Sequence, residues 1–233
     1  MQRLRRAIEL IAAAAALGAC GSMVPSAAHS RPSPPATHPL APEPVLVRPA
    51  TVPSVADPGA LPQTTQLPSP NVPAFQQRIA DLWNGIVADD PTEALGAFFP
   101  LSAYLQVKSL TDDGTDWAVR LVAHFVLDVE AAHAYIAAQG GSATFVGVAV
   151  PMVNANWVQP GVCYNRLGYW HVPGSRLVYR IGQTTYSIGI VSLISWRGQW
   201  YVVHLGAISR PSDQGYVDAP ATGVGSFPPP GGC

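Results

Sequence analysis

The order of elements along this chain predicts an α+β fold, with helices packed on one face of a curved antiparallel sheet. Three observations carry the expectation. Apolar residues recur at helical spacing between residues 75 and 138. Segments rich in β-branched and aromatic residues follow from residue 143 to 208. Arg197-Gly198 then joins the last two of these segments, a two-residue connection suited to a hairpin.

The first helix is read in "VPAFQQRIADLWNGIVADD", where Phe75, Ile79, Leu82, Trp83, Ile86 and Val87 fall on one face and Asn71 before Pro73 marks a start. Asp90-Pro91-Thr92-Glu93 opens a second: a side chain able to cap, proline at the first helical position, and an acid where a capping box places one. It ends at Phe99, before Pro100. A third helix starts in "TDDGTDW" and runs to about Ala138, where Gly140-Gly141 stops it. Strands are expected in "ATFVGVAVPMV", "SRLVYRI", "TYSIGIVSLISW" and "QWYVVHLGAI". These elements bound the folded domain at 73–208.

The residues before it read differently. Arg3, Arg5 and Arg6 precede an apolar run of about ten residues, too short for the ~20 that cross a bilayer, and the pattern is that of an export signal over residues 1–19. Leu17-Gly18-Ala19-Cys20 resembles the bacterial lipobox, which implies cleavage before Cys20 and a diacyl lipid, palmitate-like, on its thiol. Residues 20–72 then form a disordered tether. Thirteen prolines between 21 and 72, with no apolar period, favour extended, solvated chain. A lipid-anchored protein on the extracytoplasmic face of a cell membrane is the expectation. The formal net charge of −1 argues against nucleic acid as a partner, which requires a clustered basic surface. Lys108 is the only lysine, beside twelve arginines.

The order of helices and a sheet closing on "ISWRGQWYVVHL" resembles the nuclear-transport-factor-like (NTF2-like) fold, a cone of sheet wrapped by helices. Within it, "PLSAYLQVKSL", "GYWHVPGSRLVYR" and "SLISWRGQWYVVHLG" resemble a family of uncharacterised actinobacterial lipoproteins and exported proteins, over about residues 75–208. The resemblance implies a fold and an envelope location. It implies no activity, since one fold hosts enzymes, binders and scaffolds alike.

Among candidate site residues, His124 and Asp128 lie four apart on the third helix, on a stripe with Trp117, Leu121, Phe125, Ala132 and Tyr135. An imidazole oriented by a carboxylate is the minimum for base catalysis. The bland alternative is that the two satisfy each other at the edge of the core, or that Asp128 faces solvent. In a cone fold Tyr104, Tyr179 and His204 are placed to share a ligand pocket with them. A metal set of His124, Asp128 and His133 is disfavoured because residue 133 turns away from that face, and a lone Glu130-x-x-His133 is common by chance. No metal or cofactor is therefore expected. Arg176 and Arg180 alternate to one side of a strand and can bind an anion or sit in solvent. No nucleophile elbow, phosphate loop or dinucleotide fingerprint is present.

Residues 209–233 form a Gly/Pro-rich tail that should fray unless tied down. With Cys20 consumed by lipid, Cys163 and Cys233 remain, and in an oxidising compartment a disulfide between them would hold the tail. The rival is a free Cys233 that links two copies or a partner. The whole reading is a tethered envelope lipoprotein whose domain binds a small apolar ligand or an envelope protein. Its alternative is a hydrolase, isomerase or dehydratase of the same fold using His124 and Asp128.

Overall fold

A computed structural model describes residues 62–229. The signal segment, Cys20, the tether up to residue 61 and Cys233 lie outside the described residues. Four helices precede the sheet. α1 (Pro73–Ala88) buries Phe75, Ile79, Leu82, Trp83 and Ile86, the face expected from their spacing, while Val87 is left exposed. Pro73 sits at its start and Asp89 closes it in the left-handed region. α2 (Pro91–Ala94) continues as one 3₁₀ turn to Ala97 and is capped by the Asp90 carboxylate, which accepts from the amides of Thr92 and Glu93. α3 (Leu101–Val107) was not expected from periodicity. α4 spans Asp113–Ala138, with Asp112 capping its first turn and a π-helical stretch at Asp116–Val122. By length and composition α4 could cross a membrane, yet here Leu121, Phe125, Val129, Ala132 and Ile136 pack into the domain core.

The sheet is antiparallel and curved, with order β1-β3-β4-β5. Its strands are β1 (Ala143–Ala149), β2 (Asn156–Val158), β3 (Tyr169–Ile181), β4 (Thr184–Trp196), β5 (Gln199–His204) and β6 (Ala221–Thr222). β2 adds to β3 and β6 to β4. Arg197 and Gly198 both have positive φ and close the expected β4–β5 hairpin. Two register shifts bend the sheet, at Phe145/Gly147 in β1 and opposite Ser192/Leu193 of β4. Helices fill the resulting hollow, and the core joins Phe99, Trp196 and Tyr201 in edge-to-face contact.

The domain is longer at both ends than 73–208. Upstream, Gln63 donates to the Ser195 carbonyl and accepts from the Arg197 amide, and the Trp200 indole donates to the Pro68 carbonyl at 3.0 Å. The end of the tether therefore lies along the β4–β5 hairpin. Downstream, the expected fraying of the tail is corrected through residue 229. β6 pairs with β4, Gly189 donates to the Asp218 carbonyl, and Asn154 donates to the Pro228 carbonyl at 2.9 Å. Arg176 explains much of this. It is 2 % exposed, and its guanidinium bonds Ser187 Oγ and the carbonyls of Ala219 and Ser226. It is a clip for the tail rather than an anion site, while Arg180 faces solvent. Non-covalent contacts thus hold the tail as far as residue 229. One end of the expected Cys163–Cys233 bridge, Cys233, lies outside the described residues.

Candidate functional site

No hydrogen bond joins His124 and Asp128 among the described residues. Asp128 is 1 % exposed and both its oxygens are committed. Arg210 makes a bidentate pair with it at 2.9 Å on each arm, and the amides of Gly206 and Tyr216 donate to it at 2.9 Å each. The carboxylate fixes the turn after β5 and the start of the tail against α4. His124 instead lies 4.0 Å from Asp213, whose side chain is fully in solvent, and burial followed by the nearby Arg210 guanidinium lowers its pKa. Neither residue lines the cavity described below. His133 is held by the Ile86 carbonyl at 2.9 Å from Nδ1. Among the described residues no group of three His, Cys, Asp or Glu side chains is placed to hold a metal.

The cavity lies elsewhere, between α3, the π-helical stretch of α4, the 159–164 loop and the concave side of β2–β5. Its volume is about 320 Å³, at the lower end of the ~300–1,000 Å³ usual for small-molecule sites. Phe99, Val107, Leu121, Val158, Ile194 and Val203 form apolar walls. Tyr104, Lys108, Arg120, His171, Ser192 and His204 supply the polar groups, and Tyr164 and Ile208 stand half exposed or more at the mouth.

Local sequence explains how these side chains converge. The shift opposite Ser192/Leu193 gives β5 an extra residue, so that Val202 pairs with Leu193 and His204 with Ser192. Strict alternation would send Val203 and His204 to opposite faces; the bulge lets both line the cavity. Asp116 and Arg120 stand one turn apart on α4 and form a bidentate pair at 2.7 Å on each arm. The Tyr104 hydroxyl donates to the same Asp116 carboxylate. Burial and that acceptor raise the phenol's pKa, so it stays protonated. His171 Nε2 lies 2.8 Å from Ser192 Oγ.

Two groups are left facing the cavity with capacity to spare. Lys108 donates to the Cys163 carbonyl at 3.0 Å, and among the described residues no carboxylate lies in ion-pair contact with it. Burial and the neighbouring Arg120 lower its pKa. The His204 ring has no hydrogen-bond partner among the described residues, and its pKa is pushed down to about 3 by burial and then by Arg120, Arg210, Lys108 and His124. The imidazole is therefore neutral near pH 7.

Of the residues expected to share a pocket, Tyr104 and His204 do so and Tyr179 does not. Tyr179 is fully buried, stacks between Trp83 and Tyr186, and accepts from Gln139 at 2.7 Å. Lys108, Arg120, His171 and Ser192 were not singled out beforehand. The sole lysine of the chain and the Asp116–Arg120 spacing were the signals available. No family model matches this chain, and no match to it is found among curated proteins or solved structures.

Proposed function

We propose that this chain is a lipid-anchored lipoprotein of the extracytoplasmic envelope whose domain binds a small, largely apolar molecule. One observation carries the binding half: an apolar-walled cavity whose few polar groups converge from separate elements and whose His204 ring has no hydrogen-bond partner among the described residues. Filled cores satisfy such groups internally; a binding site leaves them for a ligand. The lipobox-like Leu17-Gly18-Ala19-Cys20 and the proline-rich stretch after it support the anchored half. An enzyme built on His124 and Asp128 loses its support, because Asp128 is spent on Arg210 and two backbone amides. A Cys163–Cys233 disulfide stays part of the proposal, as a covalent addition to a tail already docked.

Cys20→Ala tests the anchor. Each buried methylene contributes ~0.8 kcal/mol, so two acyl chains make attachment effectively permanent. In cells fed a radiolabelled palmitate, wild type is expected in the membrane fraction with label, and the variant without label and with its signal segment uncleaved at this site. A wild-type protein that carries no label defeats the anchor.

A further inference from the structure

We propose that the cavity selects amphiphiles with one acidic end, seating the acid between Lys108 and His204 and the apolar body against Leu121, Val158 and Ile194. The inference rests on the ligand-binding reading and adds the ligand's charge.

The charge inventory around the cavity leads there. Arg120 is matched by Asp116, Arg210 by Asp128, and Arg166 by Asp113. Of the two cations lining the cavity, Arg120 and Lys108, Lys108 is in ion-pair contact with no carboxylate among the described residues, and its contact is a neutral carbonyl. The cavity lining holds two cationic side chains and no carboxylate. A half-buried ammonium facing an apolar hollow is costly to leave unpaired, and an anion brought in by the ligand offsets that cost. His204 reports the same field from the far side. The cavity lining holds no carboxylate beside its neutral ring, so a proton donor on the imidazole can point at an anion.

Size narrows the class. About 320 Å³ is at the lower end of the cavities that take small molecules. That admits a ring or a short chain with its head group, not a full-length membrane acyl chain. Tyr164 and Ile208 leave an apolar rim through which such a tail can enter.

Octanoate and octanol, titrated calorimetrically into the purified full-length chain at neutral pH, test the inference. Octanoate is expected to bind at least about tenfold more tightly, the scale of one charge-assisted hydrogen bond. Lys108→Met keeps the stem and removes the charge. It is expected to erase the preference by weakening octanoate binding at least about tenfold more than octanol binding. Equal binding of acid and alcohol by wild type overturns the acid-selective inference and leaves ligand binding standing. So does a preference that survives Lys108→Met. Binding of neither probe overturns both. The wild-type comparison decides the matter even where the variant folds poorly.

Discussion

Asp128→Ala is expected to destabilise the domain by about 3–5 kcal/mol, the scale of breaking a buried ion pair from one side. The carboxylate is 1 % exposed and the Arg210 side chain 3 %. Removing the former strands a guanidinium whose Nε already has no partner, and frees the amides of Gly206 and Tyr216. The backbone there has no slack: a Cβ on Gly206 would lie 2.1 Å from the Tyr216 carbonyl and 2.7 Å from the Asp128 carboxylate. Replacing both partners, Asp128→Leu with Arg210→Met, should recover much of the loss because no buried charge is left over. Denaturant unfolding of wild type and the two variants checks this. A loss under about 1 kcal/mol for Asp128→Ala would mean that the clamp is dispensable.

The second large effect is on acid stability, through His204. Its folded pKa of about 3 lies below the ~6.5 of an unfolded histidine. Between those values the unfolded chain binds the extra proton, so stability falls as pH falls. The contribution is intact above pH ~6.5, declines through the window, and is gone below about 3. At pH 4 it amounts to about 3 kcal/mol lost. His204→Gln cannot take that proton. It is expected to unfold at a denaturant midpoint far less sensitive to acid between pH 7 and pH 4. Parallel acid sensitivity in variant and wild type would remove His204 as the cause.

Local signals wrote much of the fold into the sequence. The spacing of Phe75, Ile79, Leu82, Trp83 and Ile86, the Asp90 cap and the Arg197-Gly198 hairpin all act within a few residues, and all are present. What was illegible depends on partners far along the chain. Pro173 and Gly174 read as breakers, yet β3 runs through them: Pro173 pairs with Ser192, and Gly174, at φ +64°, lies under the ring of Pro228. The tail reads as loose because it has few apolar residues. It is held instead by backbone pairing and by Arg176, some 40 residues upstream.

The site divides along the same line. His124 and Asp128 do share a helix, but spacing cannot show that Asp128 has a better partner 82 residues away. Tyr104 and His204 line the cavity because the sheet and the helices packed on it bring α3 and β5 together. Lys108 was not legible in the sequence, since its significance lies in an absence, a missing counter-charge that only the folded arrangement shows. The bulge that turns Val203 and His204 to the same cavity is equally invisible to an alternating pattern.

Occupancy of the cavity is the central claim, and native mass spectrometry of the protein purified from the cells that make it tests it most directly. Wild type is expected to carry a non-covalent small molecule that leaves on denaturation. Val203→Trp, which fills the cavity with an indole, should lack it while its circular dichroism matches wild type. A wild-type protein whose native and denatured masses agree, with no releasable molecule, would contradict the account.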